Sequence, residues 1–126
     1  MVQIKILESS ENYLETILML QQKKGSVRAV DIANELNFSK ASVSVAMKNL
    51  RENGYIAVEH SGNITLLDKG RAIAESVFEK HKVLSALFIR LGVPPEIAAK
   101  DACRIEHVLS PETFTALKQH LENDPK

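Results

Sequence analysis

Apolar side chains recur along this chain at two periods, and the change from one to the other marks out its elements. Tyr13, Leu14, Ile17, Leu18 and Met19 follow the three-and-four spacing that lays a stripe along a helix. A first helix is therefore expected to start after Ser10 and stop near Gly25, with Asn12 and Glu15 sharing a face one turn apart. Two shorter helical patterns follow, over 30–36 (Ile32, Ala33, Leu36) and over 39–53 (Val43, Ala46, Met47, Leu50). Ser39 suits the N-cap of the second and Gly54 the position just past its end. Only Asn37-Phe38 connects the pair, which is the short break a helix-turn-helix requires.

The period then shortens. Residues 55–59 and 64–67 are rich in β-branched and apolar side chains, and His60-Ser61-Gly62-Asn63 between them supplies turn formers, so a β-hairpin is expected directly after the second helix of the pair. A long helix is predicted from Asp68, read as its N-cap, to Gly92, with Ile73, Val77, Leu84, Phe88 and Leu91 on its apolar side. Pro94-Pro95 opens another helix running to about Leu109. Ser110-Pro111 then caps and starts a last amphipathic helix carrying Phe114, Leu117 and Leu121, with little order expected beyond Glu122. The fold class that follows is mainly α with a small β-hairpin wing. A winged helix-turn-helix is expected over 1–70 and a helical dimerisation domain over 71–126.

Composition narrows the function classes. A chain of 126 residues that is 44% hydrophobic and 25% charged can build one compact core with a small appendage. Its 16 Lys and Arg balance 16 Asp and Glu, so attraction to nucleic acid has to come from local clustering and helix ends. That balance favours DNA binding that is switched on over binding that is constitutive. Cys103 is the single cysteine, which excludes a disulfide within the chain, and there is no apolar run that reads as a signal peptide or a membrane span. A cytoplasmic protein without a membrane partner is expected.

The second helix of a helix-turn-helix lies in the major groove, with its N-terminal residues nearest base edges and phosphates. Here that end reads Ser39, Lys40, Ala41, Ser42, Val43, Ser44: hydroxyls, a cation and small side chains on a helix start that itself attracts phosphate. Lys48 and Arg51 extend the positive side, and Arg28 precedes the first helix of the pair. Each serine by itself would serve equally as a cap or a solvated residue. Their order within helix, turn, helix and hairpin is what points to double-stranded DNA. His60, at the wing tip, could reach a minor groove or be an idle turn residue.

A second chemistry is written in Cys103-Arg104-Ile105-Glu106-His107. Positions i, i+3 and i+4 face the same way on a helix, so a thiol, a carboxylate and an imidazole converge within one turn. Together they suit a divalent first-row ion such as Mn(II), Fe(II), Co(II) or Zn(II). Taken alone, the triplet could equally be a buried thiol beside a solvated Glu-His pair. His81 lies on or beside the apolar stripe of the long helix, where an imidazole needs a partner, and Glu15 and Asn12 offer oxygen ligands from the first helix.

The runs Asn12-Tyr13-Leu14-Glu15, Asp31-Ile32-Ala33 and Lys80-His81, and above all the stretch from Asp101 to Ser110, resemble the diphtheria toxin repressor family, including its shorter manganese transport regulators. The likeness covers nearly the whole chain. It implies a homodimer whose winged domains bind a palindromic operator once metal is loaded, usually repressing metal-uptake genes, in a short form without the SH3-like domain of the iron-responsive members. Cys103, Glu106 and His107 match the family's core ligands, with Cys103 as in the iron-responsive branch. Glu15 and His81 match a second metal position of the manganese branch. Asn12 stands where the branches have Met or Asp and departs from both, which leaves the fourth ligand and the choice between Mn(II) and Fe(II) open; Zn(II) or Co(II) would bind in vitro. Ser85 and Ala99 replace the ligands of the iron branch's ancillary site, so that site is not expected.

Two other classes compete on the same scaffold. Cys103 beside Arg104 and His107 could act as a redox-sensing thiol, although no second cysteine is present to resolve an oxidised form. A winged helix can also bind protein instead of DNA. An enzyme is not expected, since no Gly-rich loop or oxyanion hole accompanies the Cys/Glu/His face, and no small organic substrate is implied.

Overall fold

The computed structural model describes residues 8–123. Its elements run α1 (Glu8–Lys24), α2 (Ala29–Leu36), α3 (Lys40–Glu52), β1 (Ile56–Val58), β2 (Ile64–Leu66), α4 (Asp68–Arg90), α5 (Pro95–Ile105) and α6 (Pro111–Asn123). The chain forms two compact units, Met1–Glu75 and Ser76–Lys126, with the division falling inside α4.

In the first unit the core is built from Leu14 and Ile17 of α1, Ile32 of α2, Val43, Met47 and Leu50 of α3, and Ile56 and Ile64 of the hairpin, all of them buried. α1 begins at Glu8, ahead of the cap expected at Ser10, and Met19 turns outward at 41% exposure. Its buried side also carries two polar residues, Glu15 and Thr16. The Thr16 hydroxyl donates back to the Asn12 carbonyl oxygen at 2.8 Å.

The turn between α2 and α3 is made possible by Asn37, which takes the left-handed conformation at φ 58° that Asn tolerates better than other residues with a Cβ. Phe38 then packs edge-on against Tyr13, with ring centroids 6.0 Å apart. α2 is pinned at its start by Asp31, whose Oδ2 accepts the Arg28 backbone N–H at 2.9 Å while Oδ1 accepts from Lys24 Nζ at 2.6 Å. The Lys24 hydrogen bond, then the Arg28 N–H, hold the Asp31 carboxyl below the ordinary 3.8. A carboxyl depressed in the fold stabilises it above its unfolded pKa, and that stabilisation fades as the pH falls through the folded value. Asp31→Asn is accordingly expected to cost about 1 kcal/mol at neutral pH, as for loss of a helix cap. Urea unfolding at pH 7 and pH 3 checks this, because the gap between variant and wild type should shrink at the lower pH.

β1 and β2 pair antiparallel in the register Ile56↔Leu66, Ala57↔Thr65, Val58↔Ile64. The loop closes through Glu59 N–H to the Asn63 carbonyl at 2.9 Å, with Gly62 at φ 95° absorbing the reversal that a Cβ would oppose. Asn63 also ties the wing to the chain before α2, since its Oδ1 accepts the Val27 N–H at 3.0 Å. The Ile64 N–H donates to the Val27 carbonyl at 2.7 Å beside it.

Three boundary expectations need correction. Asp68 is not the N-cap of α4 but lies inside its first turn, where its carboxylate faces the positive end of the helix. Leu91, expected on the buried stripe, lies past the end of α4 and is 80% exposed. α5 stops at Ile105, well before Leu109, and residues 106–108 form a turn. The pattern ran on because Leu109 continues the three-and-four spacing of Ala98, Ala102 and Ile105. The chain nevertheless has to redirect before the Ser110-Pro111 start of α6.

In the second unit Val77, Val83, Leu84, Ala98 and Ala102 are buried. α6 has no fully buried residue: Phe114, Leu117 and Leu121 are half-exposed, and Lys118 Nζ meets Glu79 at 2.5 Å. Asn123 is still helical, and the remainder of the tail expected to lack order lies outside the described residues.

Candidate functional site

The residues nominated for DNA contact lie in the first unit, and those nominated for metal fall in both. In the first, Ser39 is the N-cap of α3, its Oγ accepting the Ser42 N–H at 3.1 Å and donating to Ser42 Oγ at 2.9 Å. Ser39 is thus engaged as a cap, while the Ser42 hydroxyl accepts in that contact. Lys40, Ala41, Ser42, Ser44 and Lys48 are all exposed on α3, and Arg28 is exposed at the start of α2.

A cleft of about 600 Å³ opens between α3 and the wing, bordered by Arg28, Ser44, Lys48, Arg51, Val58 and Gly62. Three cations and a hydroxyl stand at this cleft, whose remaining lining, Ala29, Val30, Met47, Val58 and Ile64, is apolar. The Arg28 guanidinium lies against the wing turn, so that a Cβ on Gly62 would sit 3.2 Å from two of its nitrogens. His60 is exposed in the wing turn. Sequence reading passed over Val45 and Asn49, which are also exposed on α3. They could have been found by counting 100° per residue away from Val43, Met47 and Leu50.

In the second unit Glu106 is fully buried. It is the C-cap of α5, still in right-handed helical conformation with its N–H on the Ala102 carbonyl at 2.9 Å, so its side chain continues the inner face of the helix. His81, on α4, brings Nδ1 to 3.0 Å from Glu106 Oε2. His107, in the turn beyond α5, brings Nε2 to 3.6 Å from Oε1, and its side chain is only 3% exposed. Oε1 itself is buried and accepts no hydrogen bond among the described residues.

Taking a carboxylate out of water is costly unless its oxygens are satisfied, and hydrogen bonding here satisfies only one of them. A buried carboxylate between two imidazoles, with an oxygen left over, is a donor set that fits a divalent first-row cation. Cys103 is half-buried in the last turn of α5, three residues before Glu106. Glu15 is buried on α1 at 4% exposure, and Asn12 is half-buried one turn before it. Ser85 Oγ is likewise buried without a hydrogen-bond partner among the described residues. No described helix is long and apolar enough to cross a membrane.

Comparison with known proteins bears on both units. Residues 5–64 match the iron-dependent repressor N-terminal DNA-binding domain, and residues 67–126 match the iron-dependent repressor metal-binding and dimerisation domain. The chain is 32% identical over 117 residues to the uncharacterized HTH-type transcriptional regulator MJ0568 of Methanocaldococcus jannaschii, covering 91% of this chain and 94% of that one. It is 33% identical over 111 residues to the transcriptional regulator MntR of Escherichia coli O157:H7, covering 88% and 72%. Among solved structures, T. acidophilum IdeR superposes with a TM-score of 0.81 at 26% identity, over 97% of this chain but 57% of that one. The architecture of wing, helix-turn-helix and helical second unit is therefore shared with known regulators.

Proposed function

Because the chain belongs to the iron-dependent repressor family, the group its sequence resembles, we propose that it is a metal-dependent transcriptional repressor, binding operator DNA when loaded with Mn(II) or Fe(II). The observation that carries this reading is the buried Glu106 carboxylate, held between His81 and His107 with one oxygen unclaimed by hydrogen bonding. Glu106, His107 and Cys103 would hold the ion as core ligands. His81 and Glu15 would supply further imidazole and carboxylate donors, and the Asn12 amide a weaker neutral one. When bound, the ion supplies positive charge to carboxylates that burial otherwise penalises.

The chain's own residues do the rest. α3 presents Lys40, Ala41, Ser42 and Ser44 to the groove from a helix start capped by Ser39, and Arg28 and Lys48 meet phosphates from the cleft beside the wing. With zero formal net charge, non-specific attraction to DNA is weak, so occupancy depends on bringing these cations to the backbone together. A homodimer doubles that contact set and implies a palindromic operator with half-sites about one helical turn apart. A bound metal favours the DNA-competent arrangement only by the difference in its affinity for the two states.

Repression of metal-uptake genes, cytoplasmic location and the absence of catalysis belong to the same reading. The family and relatives matched are regulators, and none of them favours the redox reading of Cys103. The test is a gel shift with a duplex selected from a random pool, with Mn(II), with Fe(II) under anaerobic conditions, and with chelator. Binding is expected with metal and lost with chelator; equal binding in all conditions overturns the switch. In the same assay Lys48→Ala should weaken every duplex similarly and lower the salt slope by about one per phosphate contact removed.

A further inference from the structure

We propose that Val45, on the outermost line of α3, reads operator sequence by packing against the 5-methyl group of a thymine. Val43, Met47 and Leu50 are buried, so at 100° per residue the opposite line of the helix carries Ala41, Val45 and Lys48. Val45 is 61% exposed. It adds nothing to the core, and a β-branched residue in an exposed helix interior is a poorer helix former than Ala or Lys.

Scattered surface valines are ordinary. This one is set apart by what surrounds it. Exposed Ser42 and Ser44 flank it, Lys40 and Lys48 stand along the same helix, and Arg28, Lys48 and Arg51 border the adjoining cleft. These side chains fit an anionic backbone and so bring the middle of α3 against the edges of base pairs. Neither Ala41 nor Val45 can donate or accept a hydrogen bond. The one apolar group on base edges in the major groove is the thymine 5-methyl. Valine offers two methyl groups to it at the point where the helix approaches closest. The half-site under α3 therefore contains a thymine that is recognised by shape and dehydration, while the serines and cations supply register.

This inference rests on the repressor reading, and the experiment separates the two. The full chain, loaded with Mn(II), selects duplexes from a random pool, and each thymine of the selected half-site is then replaced in turn by deoxyuridine, which lacks only the methyl. At one position per half-site wild type is expected to weaken about fourfold, the worth of one buried methyl, and about sixteenfold when both half-sites are changed. Val45→Ala should bind the same duplex yet show no penalty at that position, and Val45→Thr should show a reduced one. Wild type indifferent to deoxyuridine everywhere, or Val45→Ala paying the same penalty as wild type, overturns the proposal while the repressor reading stands. If no duplex is retained with Mn(II) or Fe(II), the repressor reading fails and takes the proposal with it.

Discussion

Glu106→Gln is expected to abolish metal-dependent DNA binding while leaving the metal-free chain at least as stable as wild type. The side chain is fully buried, one oxygen contacts His81 at 3.0 Å, and the other has no hydrogen bond among the described residues. An amide keeps the shape and removes the charge, so it lowers the cost of leaving that oxygen unsatisfied. As a metal ligand it is neutral and weak, and metal affinity should fall by about 100-fold or more, the upper end of what changes around the ligands themselves produce. Two measurements check this. In thermal melts with Mn(II) at a hundred times the wild-type dissociation constant, wild type should gain about 2.7 kcal/mol and the variant about 0.4 kcal/mol or less. In gel shifts, wild type should bind and the variant should not. An unchanged metal-induced gain in Glu106→Gln would remove Glu106 from the ligand set.

Gly70→Ala should be severely destabilising, against the usual sign for such a change in a helix. Within a helix, Ala for Gly ordinarily adds about 1 kcal/mol of stability. Gly70 is buried in the first turns of α4, and a Cβ there would land on the Tyr55 carbonyl oxygen, far inside contact, and 3.0 Å from its carbon. That oxygen accepts the Leu67 N–H at 3.0 Å, which holds the end of the hairpin to the start of α4. The obstruction is backbone and cannot rotate away, so relief requires moving α4 off the hairpin. A loss of about 3 kcal/mol or more is expected, at the top of the range for overpacking, read from urea denaturation of the purified chain. Gly54→Ala serves as the contrast. An added Cβ there meets nothing, and its φ of 81° limits the cost to backbone strain of about 1–2 kcal/mol.

Much of the fold was legible in the chain because its elements are locally determined. Ser39 before α3, Asn37 at the end of α2 and Gly62 in the wing each match the cap or turn that their backbone requires. The register of the hairpin follows from its short loop. Errors fell where local rules are silent. Asp68 can serve either as a cap or as a first-turn acid, and only the backbone distinguishes the two. α5 ends at Ile105 although its apolar spacing continues, because helical period does not record where a chain has to turn.

The candidate site divides in the same way. Spacing alone was enough to nominate Cys103, Glu106 and His107, since residues three and four apart share a face wherever a helix continues, although α5 ends at Ile105 and His107 lies in the turn beyond it. It also nominated the start of α3, because the order of helix, turn, helix and hairpin is local. Tertiary structure decided that Glu106 is wholly buried, that His81 reaches it across 25 residues of sequence, and that one carboxylate oxygen is left without a hydrogen bond among the described residues. Burial and hydrogen-bond satisfaction depend on which elements pack together, and no periodicity within one element carries that information.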